Sequence, residues 1–367
     1  MTLVSSVLSG ERLALARLLT QVENDTPEGR EALDELFPHT GKAHLIGVTG
    51  APGTGKSSLV NQLALRFRSE KGRVAILAVD PSSPFTGGAL LGDRIRMKDI
   101  GGDAGVFIRS MASRGSLGGL AQTTASLAQV FDAAGYEIVI IETVGAGQGE
   151  VDIARLAHTT LVVEAPGFGD DIQAIKAGIL EIADILVVNK ADRPGAENTL
   201  KALKSMLELA HPTRRVFKHH GMNMSAEAPE EETAVQGSAL RKPLHSAQGF
   251  DSQQTWIPPV LTTVATEGTG IPELAEHIAR HTDYLRSGGG WAARERARLE
   301  VELETLVQAT LMDQFRQRLS EKKYAQILNQ VYERSLSPGQ AAAMLVNGGA
   351  TSTVMASPET AQSRRKK

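Results

Sequence analysis

The chain has 367 residues, with 39 Lys and Arg set against 42 Asp and Glu, a formal net charge of −3 and no cysteine. That length accommodates one large domain with appendages or two domains, and the charge balance lacks the basic excess of a chain whose main partner is nucleic acid. The missing thiols exclude disulfides and thiolate metal sites. No run of about 18 apolar residues marks a membrane-spanning helix, and Met1-Thr2-Leu3-Val4-Ser5-Ser6 has the order of neither a secretory signal nor a transit peptide, so a cytoplasmic protein is expected.

Residues 1–40 carry Leu8, Leu13, Leu15, Leu18, Leu19, Leu33 and Leu36 at helical spacing, and Thr26-Pro27-Glu28 is a helix start. The stretch reads as a helical preface packed on the main domain. A partner-binding arm is the other reading, but amphipathic helices usually bury their stripe locally.

From His44 onward, apolar runs recur at 44–49, 74–80, 105–109, 137–142, 160–164, 184–189 and 260–265, separated by helical segments. Continuous Val, Ile and Leu suits parallel strands covered on both faces. The alternation predicts an α/β, doubly wound and mostly parallel sheet over 41–286, with ligands at the carboxyl ends of the strands.

The first strand leads into Gly50-Ala51-Pro52-Gly53-Thr54-Gly55-Lys56-Ser57, followed by Ser58 and a helix. This is a full match to G-x-x-x-x-G-K-[ST] in its strand–loop–helix context, which a chance glycine turn does not reproduce. Backbone N–H groups and the helix N-terminus would cradle phosphate. Lys56 would reach the outer phosphates and the Ser57 hydroxyl would ligate Mg²⁺.

The second strand ends in Asp80-Pro81-Ser82-Ser83, and Asp93 follows on the next connection. Each is a candidate metal acid or, alone, a turn or cap residue. The fourth strand ends in Glu142 and exits into Thr143-Val144-Gly145-Ala146-Gly147-Gln148-Gly149. Four apolar residues closed by an acid suit an orienter of Mg²⁺ or its water, and Gly145 can offer its N–H to a γ-phosphate. Ala146 stands where small signalling GTPases keep a water-orienting glutamine, with Gln148 two residues on, so slow intrinsic hydrolysis is predicted. In Ala165-Pro166-Gly167-Phe168-Gly169-Asp170-Asp171-Ile172-Gln173-Ala174-Ile175-Lys176, a glycine loop opens a helix. It is either an ordinary capped helix or a switch in which Asp170, Gln173 and Lys176 exchange polar contacts.

The sixth strand ends in Asn189-Lys190-Ala191-Asp192. The Asp192 carboxylate can accept from both guanine N1–H and the 2-amino group, which adenine does not offer in that geometry. Lys190 would stack along the base and Asn189 would tie this loop to the phosphate loop. After the last strand, Val264, Ala265 and Thr266 lead into Glu267-Gly268-Thr269-Gly270, placed to touch the guanine edge.

A helix is predicted over 195–210. From about 211 to 255 the pattern dissolves into an irregular insertion, disordered by composition; His219-His220 lacks a third ligand at regular spacing. Ser287-Gly288-Gly289-Gly290 reads as a hinge. Beyond it a helix roughly 40 Å long carries Leu299, Leu303, Leu306, Leu311, Phe315 and Leu319 on one face. Residues 287–349 are read as a dimerisation arm, with folding back onto the same subunit as the alternative, and 350–367 as a disordered tail.

Taken together, the segments 50–58, Asp80-Pro81-Ser82-Ser83, Gly87-Gly88 through Gly92-Asp93-Arg94, Glu142-Thr143-Val144-Gly145 with Gln148, Pro166-Gly167 through Lys176 and Asn189-Lys190-Ala191-Asp192 resemble the MeaB/ArgK group of P-loop GTPases. This is the group of the methylmalonic aciduria type A proteins. The resemblance covers about residues 8–345 apart from the insertion, which is longer than the family pattern. Gly149 also stands where many members keep a small hydroxyl residue.

The resemblance implies a homodimeric G-protein chaperone for an adenosylcobalamin-dependent acyl-CoA mutase, usually methylmalonyl-CoA mutase. GTP binding and hydrolysis to GDP would gate cofactor loading and protect or reactivate the mutase. It also implies that Lys56 and Ser57 bind phosphate and Mg²⁺, and that Asp80, Asp93 and Glu142 are the metal and hydrolysis acids. Residues 166–176 would sense the mutase, while Asn189, Lys190 and Asp192 read guanine. No D-x-H-x-x-G cobalamin signature occurs, so the cofactor would travel with the partner.

Two alternatives share the phosphate loop. A P-loop small-molecule kinase would need an arginine lid, for which Arg94, Arg96, Arg109 and Arg114 are available. A nickel-delivering GTPase would need a Cys/His cluster, and the chain has no cysteine.

Overall fold

The computed structural model describes residues 2–81, 100–113, 119–143, 149–167, 181–210, 217–219, 222–224 and 255–346. Three helices open the chain: α1 (Leu3–Leu8), α2 (Arg12–Glu23) and α3 (Pro27–Leu36). Thr26 caps α3 by accepting from the Gly29 N–H at 3.1 Å, and Pro27 fills the first helical position, where its missing N–H costs nothing.

The main unit alternates β1 (His44–Thr49), α4 (Lys56–Lys71), β2 (Val74–Pro81), β3 (Val106–Ser113), α5 (Gly119–Ala133), β4 (Ile138–Thr143), α6 (Gly149–Leu156), β5 (Thr159–Glu164), β6 (Ile185–Asn189) and α7 (Ala196–Ala210). Two short strands, β7 (Phe217–His219) and β8 (Met222–Met224), pair antiparallel in a small separate sheet. Then come β9 (Val260–Thr263), α8 (Ile271–Ser287) and α9 (Gly290–Arg318).

Seven strands form one sheet in the order β3-β2-β4-β1-β5-β6-β9. Every pair in it is parallel, which makes this the doubly wound α/β architecture that the apolar runs predict. Along each inner strand, successive side chains alternate between two cores. Leu45, Ala75, Leu77, Val139 and Ile141 face α2, α3 and α5, where Leu18, Leu19, Leu36, Phe131 and Tyr136 are buried. Ile46, Val48, Ile76, Ile138 and Ile140 face α4 and α8. The N-terminal helices therefore complete one face of the sheet.

Two boundaries differ from the apolar pattern by more than one residue. β3 continues past Arg109 to Ser113, because it is the edge strand and the Arg109 guanidinium lies against α2, donating to Glu23 and Thr20. β9 stops at Thr263, since Val264 turns into an antiparallel bridge with Thr269.

The chain divides into two compact units, Met1–Glu302 and Leu303–Lys367. The division falls inside α9. A Cβ on Gly290 would lie 3.0 Å from Leu285 Cδ2, so this glycine serves close packing of α9 on the end of α8. The second unit holds the rest of α9, α10 (Glu321–Tyr332) and α11 (Pro338–Val346). Ile327 and Ala341 are buried between α10 and α11, while Leu303, Leu306, Leu311, Tyr324 and Leu328 are exposed. The tail 350–367 and most of 211–255 lie outside the described residues.

Candidate functional site

The carboxyl ends of β1, β4, β5, β6 and β9 bring the predicted nucleotide segments together. Between β4 and β5 the chain crosses over β1, the kind of switch point at which open α/β sheets bind ligands. Two glycines make the closeness there feasible. Gly50 has φ 137°, and a Cβ on it would lie 2.0 Å from the Val163 carbonyl oxygen of β5. Gly55 has φ 93°, and its Cβ would lie 2.4 Å from Asn189 Nδ2. Any other residue would push the phosphate loop off its neighbours.

Within that loop, Lys56 is buried and its Nζ donates to the carbonyls of Gly50 at 2.8 Å and Ala51 at 3.0 Å. Thr54 Oγ1 donates to Ala51 O at 3.0 Å, while Pro52 and Gly53 stay exposed. Ser57, in the first turn of α4, donates its hydroxyl to Glu142 Oε1 at 2.6 Å, and Glu142 is 1% exposed. Half-buried Ser58 follows. Beside them, Thr143 Oγ1 donates to Thr49 Oγ1 at 3.1 Å, joining the tops of β4 and β1.

The base-side loop is fixed by Asn189. Its Nδ2 donates to Thr54 O at 2.8 Å, and its Oδ1 accepts from Thr263 Oγ1 and from the Ala265 N–H, both at 3.1 Å. One side chain thus joins the phosphate loop, β6 and the loop after β9. Lys190 sits at φ 57°, a conformation few non-glycine residues adopt, and its Nζ donates to Gly53 O at 2.6 Å. Asp192 is exposed on the rim. Val264 and Ala265 are buried, with Thr266 exposed.

The donor set fits the groups the sequence implies. The buried Ser57 hydroxyl and Glu142 carboxylate are hard oxygen donors of the kind Mg²⁺ takes. The loop opens directly into the first turn of α4 at Lys56, whose N-terminal N–H groups are donors of the kind a phosphate takes. Asp80 lies at the end of β2, opposite Ala112 in register. The other expected site residues Asp93, Gly145, Gln148, Asp170, Gln173 and Lys176 lie outside the described residues. Among the described residues, no group of three or more His, Asp or Glu is placed to hold a metal.

Sequence reasoning missed Thr263. A lone threonine at a strand end carries no signal, yet it is 1% exposed and fixes which way the Asn189 amide points.

The family described as "Methylmalonyl Co-A mutase-associated GTPase MeaB" matches residues 15–320. The chain belongs to the MeaB family of P-loop GTPases. A Pyrococcus abyssi relative bearing a GTPase name is 40% identical over 344 residues, covering 94% of this chain and 95% of its own. GTPase ArgK of Escherichia coli is 33% identical over 334 residues, covering 90% of each. The mouse methylmalonic aciduria type A homolog is 28% identical over 359 residues, covering 94% of this chain and 78% of its own. Among solved structures, an LAO/AO transport system kinase superposes with TM-score 0.64 at 26% identity, covering 95% of this MeaB-family chain and 97% of its own. No helix of the described residues is long and apolar enough to cross a membrane.

Proposed function

We propose that this MeaB-family chain binds GTP with Mg²⁺ and hydrolyses it slowly to GDP and phosphate. It acts as a homodimeric chaperone that gates adenosylcobalamin loading and protects or reactivates an adenosylcobalamin-dependent acyl-CoA mutase, methylmalonyl-CoA mutase first among them.

The observation that carries the guanine half is the Asn189 side chain. It bonds to the Thr54 and Gly55 carbonyls, the Thr263 hydroxyl and the Ala265 N–H, so the loop bearing Asp192 is held in place against the phosphate loop. A pre-set carboxylate rewards guanine's paired donors and is left unpaired by adenine. A small-molecule kinase has no need of this arrangement. Ser57 and Glu142 would hold Mg²⁺, which when bound neutralises phosphate charge. Lys56 would turn its ammonium from the loop carbonyls to phosphate oxygens, and Asp93 and Gln148 are the proposed hydrolysis residues.

The mutase half is supported by the family description and by the kinship with the methylmalonic aciduria type A homolog. A homodimer is supported by the exposed Leu303, Leu306, Leu311, Tyr324 and Leu328 of the arm, which a second copy would cover.

The test is GTP and ATP turnover by the purified protein, with and without methylmalonyl-CoA mutase. The expected result is slow GTP turnover that the mutase accelerates. GTP-selective turnover indifferent to the mutase removes that partner, and a preference for ATP removes the guanine reading.

A further inference from the structure

The nucleotide segments occupy the carboxyl ends of β1, β5 and β6. The opposite ends of the same three strands converge on a buried polar cluster that the nucleotide site does not use. At its centre is Asp184, just before β6, with a side chain 4% exposed. It accepts a two-pronged pair from Arg294 of α9 at 2.7 and 2.8 Å, and the backbone N–H of Thr160 in β5 at 2.8 Å. His281 of α8 lies 3.3 Å away.

Arg294 also donates to His158 O, just before β5, at 2.6 Å. The His158 ring is fixed from β1. The Leu45 N–H donates to its Nδ1 at 3.0 Å, so the ring proton sits on Nε2, which donates to Glu295 of α9 at 2.8 Å. Trp291 stacks on the same ring at 3.8 Å between centroids. Arg298 pairs with Glu295 and Glu302, and Glu302 accepts from Gln129 of α5 at 2.7 Å.

The root of α9 is therefore bonded to the bases of the strands that carry the phosphate loop and the base loop. Apolar residues would hold two elements together at least as well as buried ion pairs do, so the cluster's distinctive property is geometric. A two-pronged fork around a buried carboxylate is either closed or broken. A small slip of β5 against β6 cannot be shared out among half-made bonds, because a partly paired charge in a dry interior is heavily penalised. Packed elements of this kind switch instead of deforming. The helix the fork holds then runs on, past Glu302 where the main unit ends, to Arg318.

We propose that the Asp184–Arg294 fork and the His158–Glu295 bond couple the nucleotide loops to the C-terminal helical arm. What the carboxyl ends of β5 and β6 hold sets the register of those strands. The register sets whether the fork at their other ends is closed, and the fork sets the order of the root of α9. This rests on the guanine-nucleotide reading above.

Hydrogen–deuterium exchange of the full chain, with GDP or a non-hydrolysable GTP analogue, tests it alongside fluorescent-nucleotide titrations. In the parent protein, exchange across 290–302 should differ between the two nucleotides by about 5-fold or more. Arg294→Lys keeps the charge but loses the fork. It should cut that difference below about 2-fold while both nucleotide affinities stay within about 3-fold of the parent. Glu295→Ala, which removes the acceptor for His158 Nε2, should also shrink the difference and serves if Arg294→Lys does not fold. Arg280→Lys, in an exposed pair with Glu276, should leave it intact. Identical exchange with the two bound nucleotides in the parent overturns the proposal, as does a full difference in a folded fork variant. Absence of nucleotide binding in the titrations instead sinks the guanine reading, and the coupling with it.

Discussion

Ser57 donates its hydroxyl to Glu142 at 2.6 Å, across the base of the phosphate loop. The two residues come from α4 and β4, and β4 and β1 are neighbours in register from His44↔Ile138 to Val48↔Glu142. The proposed Mg²⁺ donors are therefore held by the first turn of α4 and by an inner strand of the sheet. Glu142→Gln keeps the shape and removes the charge. It should weaken GTP binding in the presence of Mg²⁺ by about 10- to 100-fold while barely changing binding in EDTA, since only the metal-dependent part uses the charge. Titration of a fluorescent GTP with and without Mg²⁺ measures this, and equal losses in both conditions would count against a metal role.

Asn189→Ala removes four hydrogen bonds at once and leaves the Thr54 carbonyl and the Thr263 hydroxyl without that partner. The cost should be about 1–3 kcal/mol in guanine-nucleotide affinity. Thr263→Val should reproduce a smaller part of it, because Ala265 still holds the Asn189 oxygen. Asp192→Ala, exposed and outside this web, should instead erase the preference for GTP over ATP and leave folding unchanged. Competition titrations separate the two effects.

Acid should loosen the fold in two windows. Burial, chiefly, holds the His158 pKa below its ordinary 6.5, against the pull of Glu295. The unfolded chain then takes up a proton that the folded chain refuses, so stability is full above pH 6.5 and declines as pH falls below it. Glu295 goes the other way from burial: His158 and Arg298 outweigh desolvation and lower its pKa from 4.5 to about 2. Its contribution is complete above pH 4.5 and is lost between there and about 2. Urea midpoints across pH should fall in both ranges, and His158→Gln should flatten the upper one and shrink the lower one, since Glu295 loses one of the two partners that lower it.

Leu18, fully buried on α2, packs in the core that holds Phe131 and Tyr136. Leu18→Ala should cost about 2–5 kcal/mol of unfolding free energy, with GTP affinity unchanged. A loss below 1 kcal/mol, in the range of ordinary surface changes, would mean the preface is not part of this core.

The sheet was legible because parallel strands buried on both faces must be apolar without interruption, as Ile138-Val139-Ile140-Ile141 and Ile185-Leu186-Val187-Val188 are. Arg109 hid the second half of β3, since a charge reads as an end unless it lies on an edge with Glu23 to meet it. The phosphate and base loops were legible because their chemistry sits in consecutive residues. The cluster at the other end of the sheet was not. His158, Asp184, His281 and Arg294 belong to four separate segments, and only folding brings them within bonding distance.

The place of β1 has a consequence for how this protein is made. It precedes every other strand among the described residues, yet its neighbours are strands that leave the ribosome much later: His44 aligns with Ile138, and Ile46 with Thr159. The phosphate loop therefore emerges early with nothing to lean on. Asn189, which braces it, is later still. Such long-range pairing is slow to form. The nascent chain must pass most of its sheet through the exit tunnel before it can first grip a nucleotide, and until then its central strand is the segment most in need of protection from other chains.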